Sequence, residues 1–121
     1  MKAVVFDKIG SPLDVLRLAP VPIPEIADNE VLVKMISASI NPRLSVHSES
    51  VPGTEETSFP GAEQIAGNAG AGVIAKAGKK VLLKPGTLVA FYYYNAWAEY
   101  AAIRTFAVAD VFRLFCSDFY C

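Results

Sequence analysis

Cysteine is missing from most of this chain. The only two, Cys116 and Cys121, fall in the last six of 121 residues, so neither a disulfide framework nor a thiolate metal spacing can be built from the body of the protein. Histidine is nearly missing too. With His47 alone, a zinc site of the usual Cys/His composition has no ligand set, and no metal is expected. No apolar run reaches the length of a bilayer span, so no membrane partner is expected. There is no excess of either charge: 11 Lys and Arg against 12 Asp and Glu give a net charge of −1. The basic residues are spread along the chain rather than gathered into the stripe that a nucleic-acid binder shows, and no nucleic-acid partner is expected. The first residues, Met1 to Phe6, enter a strand-like pattern at once. No signal or transit segment is therefore expected, and the expected location is cytoplasmic. Repeats and low-complexity tracts are also lacking.

What is present is apolar residue and glycine. At 53% apolar the chain is too hydrophobic for disorder, and its length suits one domain with a real core. The organising stretch is 67–86, GNAGAGVIAKAGKKVLLKPG. Glycine at this density in a strand context means close backbone approach or positive φ. The expected picture is a strand entered through a glycine corner and left through the Lys84-Pro85-Gly86 turn, with a further strand over 87–94.

Elsewhere, alternation predicts a strand over 3–8, with Val4 and Phe6 on one face and Val5 on the other. A short strand is expected over 15–18. The alternate prolines Pro20, Pro22 and Pro24 then require an edge or an extended connector. After a turn at 28–30, the strongest strand runs over 31–40. Val31, Val33 and Met35 line one of its faces and Leu32, Ile36 and Ile40 the other, which predicts a strand buried on both sides. Asn41-Pro42 ends it. A short helix is expected over 43–50 and a polar loop over 51–60. Asn95-Ala96 makes a turn before a return strand over 97–103, and 106–108 is a last short strand.

The order of these residues resembles a known family. A Met-Lys-Ala-Val-Val opening, a Gly-x-Pro break and Val21-Pro22 lead to Asn41-Pro42. Gly67-Asn68-x-Gly70-x-Gly72-Val73, Gly78, Lys84-Pro85-Gly86 and Trp97-Ala98-Glu99-Tyr100 follow. Together they look like the N-terminal domain of the medium-chain dehydrogenase/reductase superfamily. The similarity is strongest to its zinc-free branch of quinone oxidoreductases and mitochondrial-type 2-enoyl thioester reductases. It covers about the first 110 residues. It implies an all-β, GroES-like partly open barrel with one or two short helices over 1–110, followed by a divergent tail over 111–121 that reads as an out-of-frame or alternatively spliced end. The family's Rossmann cofactor domain is absent from the chain.

The resemblance implies reduction of an activated C=C bond, in a quinone or a 2-enoyl thioester, by hydride from NADPH. The nicotinamide carries the hydride, and the protein supplies orientation and polar contacts. Asn41 is the catalytic-site residue implied, shaping the cleft near the nicotinamide. Cofactor-binding residues are not identified. NADPH is implied for the family but is not expected to bind this chain alone, because no Gly-x-Gly-x-x-Gly opens a helix after a strand. The chain by itself is accordingly expected to be inactive.

Several positions depart from the family pattern. Leu44, Ala69 and Thr87 stand where acidic residues are usual, and the tyrosine expected about ten residues past Asn-Pro is missing. His47 and Ser48 are the side chains there that could relay a proton. The Gly67–Gly70 cluster is expected to be a barrel corner rather than a phosphate cradle. The aromatics Tyr92, Tyr93, Tyr94, Trp97 and Tyr100 are expected mainly to pack the core, with some lining a cleft.

Two other readings compete with a small-molecule reductase domain. One is a non-catalytic fragment or isoform that acts as a protein-binding module, with self-association through the exposed interdomain face or through Phe112, Leu114, Phe115 and Phe119 of the tail. The other is a co-chaperonin-like barrel, which would want an apolar mobile loop where 51–59 is polar.

Overall fold

The strand over 31–40 is realised as the inner strand of a five-stranded antiparallel sheet. The structure, a computed structural model, describes residues 1–8, 10–40 and 63–112. Its elements are β1 (Lys2–Phe6), α1 (Pro12–Val15), β2 (Arg17–Pro20), β3 (Glu30–Ala38), β4 (Gln64–Ile65), β5 (Ala69–Ala77), β6 (Leu88–Tyr92), β7 (Tyr100–Arg104), a 3-10 turn at Thr105–Ala107 and β8 (Val108–Asp110). The large sheet has the order β7-β3-β5-β6-β8, and a small one has the order β2-β1-β4. Bonds from β1 tie the two sheets together. Val4 N–H donates to Trp97 O at 2.9 Å, Ala66 N–H donates to Val4 O at 2.8 Å, and Ala3 bridges Ala98. The result is the expected all-β, curled and partly open barrel, with one short helix among the described residues.

The core lies inside the curl. Val31 and Val33 of β3, Ile74 of β5, Val89 and Phe91 of β6, and Ala101 and Ile103 of β7 form one buried cluster. Phe6, Val15 and Ala66 form a second, against which Val4 packs, and Trp97 touches both. The predicted sharing of a face by Val4 and Phe6 therefore holds, while Val5 is fully buried on the other.

Three expectations need correction. The strand over 15–18 starts later, because Pro12–Val15 is a helical turn. Pro12 suits a first helical turn, where its missing N–H is not needed, and Ser11 O accepts from Asp14 N–H at 2.9 Å and Val15 N–H at 3.1 Å. Only from Arg17 does the chain run as an edge strand, paired with β1 up to Pro20. Second, β3 is buried on one face only. Val31 and Val33 are fully buried, but Lys34 is exposed and Ile36 is 68% exposed. Apolar residues on both faces therefore mark a strand with neighbours on both edges, not one covered on both faces. Third, the return strand over 97–103 does not fold back on β6. β7 pairs with β3, from Glu30 opposite Arg104 to Lys34 opposite Tyr100, and β8 takes the place beside β6.

The corner and the turn that bracket β5 are as expected. Gly67 has φ +90° and Gly86 has φ +91°. A Cβ at Gly67 would overlap the Trp97 ring, and one at Gly72 would overlap the Lys34 carbonyl oxygen. Glycine is what lets β5 lie this close to β3. Thr87 Oγ1 donates to Lys84 O at 2.7 Å, closing the turn locally. Among the described residues no helix is long and apolar enough to cross a membrane.

Candidate functional site

One end of the large sheet collects the sequence features singled out for chemistry. At the end of β3, Ser39 N–H donates to Ala69 O at 3.0 Å, and the Trp97 indole N–H donates to Ser39 O at 3.0 Å. These bonds pin the strand beside the Gly67 corner just before it reaches Asn41. Across the corner, Tyr93 N–H donates to Asn68 O at 2.8 Å, and Ala69 pairs with Tyr92. The end of β3, the glycine corner and the end of β6 are thus held together by backbone bonds, independently of any ligand.

The corner opens on a small cavity of about 190 Å³ lined by Asn68, Tyr92, Tyr93 and Tyr94. Asn68 is the buried polar residue of the described core, with 6% exposure. The tyrosines divide their duties. Tyr93 packs against the core and meets Tyr94 and Phe106 edge to face, at centroid distances of 5.5 and 6.1 Å. Tyr92 and Tyr94 remain more than half exposed. Asn95 turns the chain with φ +66°, a value asparagine tolerates better than most residues. Ala96 follows as a buried residue, and Trp97 seats on Gly67.

A second, more open groove of about 350 Å³ is lined in part by Trp97. Its lining includes Val4, Leu18, Met35, Ile36, Trp97 and Glu99. The Glu99 carboxylate accepts from Lys2 N–H at 2.7 Å, so it serves to join the two sheets. The one ion-pair cluster among the described residues centres on Arg17 of β2, next to Leu18, and none of its members lines either cavity. There Arg17 reaches Glu63 at 2.6 Å and Asp7 at 3.4 Å.

Asn41, His47 and Ser48 lie outside the described residues, as do Leu44 and the helix expected over 43–50. The structure does bring together the Gly67 corner, the aromatic run and the strand that leads to Asn41. Sequence reasoning read Asn68 as part of the corner and missed it as a cavity wall. The available signal was its place next to Gly67, since a polar residue at a corner between strands is a candidate wall for any opening there. Among the described residues no group of three or more His, Cys, Asp or Glu could hold a metal ion. Nor do those residues fit a dinucleotide. The helix is four residues long and lacks the following parallel strand of a βαβ unit.

No protein-family profile matches the chain. Over 41 residues it is 56% identical to the mitochondrial enoyl-[acyl-carrier-protein] reductase of Xenopus tropicalis, a match that covers 34% of this chain and 12% of that protein. Among solved structures, the human synaptic vesicle membrane protein VAT-1 homolog-like protein superposes with a TM-score of 0.81 at 24% identity, covering 92% of this chain and 34% of that one. The Escherichia coli quinone oxidoreductase, solved in complex with NADPH, superposes with a TM-score of 0.78 at 22% identity, covering 91% and 33%. The chain thus spans about a third of the length of these solved proteins. It shares the fold of these solved proteins over about nine-tenths of its own length, and over 41 residues it is similar in sequence to a mitochondrial enoyl-[acyl-carrier-protein] reductase.

Proposed function

We propose that this domain forms the substrate-side wall of a zinc-independent, NADPH-dependent reductase that acts on an activated C=C bond in a quinone or a 2-enoyl thioester. The observation that carries this reading is the aromatic opening of Asn68, Tyr92, Tyr93 and Tyr94, set beside the end of the strand that runs into Asn41. A conjugated, planar acceptor has apolar faces and a polar carbonyl. Aromatic faces with hydroxyl tips match the first need, and an amide matches the second. The bonds between Ser39, Ala69 and Trp97 hold this wall rigid, so orientation is supplied before the substrate arrives. Asn41 is assigned the polar contact at the reacting end. Hydride delivery belongs to the nicotinamide and needs a dinucleotide fold beyond the described residues. In this reading residues 1–110 make up the barrel domain, and 111–121 play no part in the opening.

The test uses the single tryptophan, Trp97, and amide NMR. A 2-hexenoyl thioester of N-acetylcysteamine and a naphthoquinone are each titrated into the chain. Shifts confined to Asn68 and Tyr92–Tyr94, weakened by Asn41→Ala and Tyr92→Ala, are the expected result. NADPH followed by calorimetry should give no micromolar affinity. Absence of shifts in the aromatic opening at millimolar probe, or micromolar NADPH binding by this chain alone, overturns the reading.

A further inference from the structure

The near-neutral balance of the whole chain hides a local imbalance. Residues 64–98 contain no Asp or Glu at all, and Lys76, Lys79, Lys80 and Lys84 fall within nine consecutive positions of that stretch. All four lysines are exposed, and among the described residues none makes an ion pair. On the turn that faces this loop, the Glu30 carboxylate is held by Ala27 N–H at 2.9 Å. Asp28 is the exposed acid there.

In the middle of these lysines stands Leu82, 97% exposed. Its exposure comes from the way the loop is anchored. Val81 and Leu83, on either side, both pack against the main core cluster, which turns the side chain between them outward. The backbone is pinned at both ends, by Lys80 N–H to Asp28 O at 2.9 Å and by Gly86 N–H to Ile74 O at 2.7 Å. Thr87 ties the Lys84 carbonyl as well. The loop therefore displays one exposed apolar side chain among four exposed lysines that are close to it in sequence.

We propose that the 76–86 loop docks this domain on an anionic lipid surface, with Leu82 inserted below the headgroups and Lys76, Lys79, Lys80 and Lys84 set against their charge. The pairing of one apolar insertion with a basic cluster meets the requirement for two weak signals acting together at a lipid surface. A nucleic acid would leave Leu82 facing phosphate and water. An acidic protein would need a pocket shaped to a single leucine. Surface attachment of this kind needs no spanning helix. It is independent of the reductase reading, since the loop lies at the start of β6 and the aromatic opening at its end.

The test is co-sedimentation and tryptophan-free light scattering with vesicles of phosphatidylcholine alone or with 30 mol% (about a third) phosphatidylserine. The chain should bind the anionic vesicles at low ionic strength and release them in about 0.5 M salt, where charges are screened within a few ångströms. Lys79→Gln with Lys80→Gln should weaken binding about thirtyfold, from roughly fivefold per lysine. Leu82→Ser should weaken it about tenfold. Lys8→Gln, an exposed lysine outside the loop, should leave it unchanged. Circular dichroism confirms that each variant is folded. The proposal is overturned by equal binding to neutral vesicles, by no binding to either, by loss of binding in Lys8→Gln, or by full binding in Leu82→Ser. Complete displacement by soluble poly-glutamate at equal charge also overturns it, because the site would then be a protein-docking patch.

Discussion

Gly67→Ala should lower stability by two separable effects, and the structure contains the control that separates them. The first effect is conformational. Gly67 sits at φ +90°, where a Cβ costs about 1–2 kcal/mol. The second is steric, because the new methyl would meet the Trp97 ring and lie 2.9 Å from the Trp97 backbone nitrogen. Overpacking of this kind costs about 1–3 kcal/mol. Together the loss is about 2–5 kcal/mol, a large share of the ~5–15 kcal/mol that holds a domain folded. At roughly 4 °C per kcal/mol for a domain of this size, the midpoint should fall by about 10 °C or more. Gly86 has nearly the same φ, +91°, but nothing lies within 4 Å of its absent Cβ. Gly86→Ala should therefore lose only the conformational part, about 1–2 kcal/mol. Urea unfolding followed by Trp97 fluorescence and by circular dichroism measures both variants. Only Gly67→Ala should also shift the emission of the folded protein. Equal losses in the two variants, with no change in emission, would refute the close seating of Trp97 on the corner, and with it the rigidity assigned to the aromatic opening.

Two further expectations follow from burial and composition. Ile74→Ala, at 1% exposure in the main core, should cost about 2–5 kcal/mol, whereas Ile36→Ala, at 68% exposure, should stay within about 0.5 kcal/mol. Comparable losses at the two sites would mean that β3 is covered on both faces after all. The purified chain should carry no stoichiometric zinc, because its body offers one histidine and no cysteine before Cys116. One zinc per chain that survives chelation, read by elemental analysis, would overturn this.

Local chemistry alone determined much of this protein. The glycine corner at 67, the turn at 84–86, the proline-marked edge after Pro20 and the central place of the 31–40 strand were legible because φ-restricted residues and alternation act over a few positions. The expectation that no zinc site of the Cys/His kind is present has the same local origin, since such ligand sets are a matter of composition. Pairing partners were a different matter. That β7 lies beside β3 rather than β6 depends on the curl of the whole sheet, which a period-two pattern does not encode. Apolar residues on both faces of β3 were compatible with full burial, and only the exposure of Lys34 and Ile36 in the fold decided otherwise. The division of labour among Tyr92, Tyr93 and Tyr94 was likewise decided by contacts distant in sequence, above all the core behind Tyr93 and the corner beneath Trp97. Leu82 is the clearest case. In the sequence it is one of three consecutive apolar residues, and it becomes a displayed side chain only because Val81 and Leu83 find the core on either side of it.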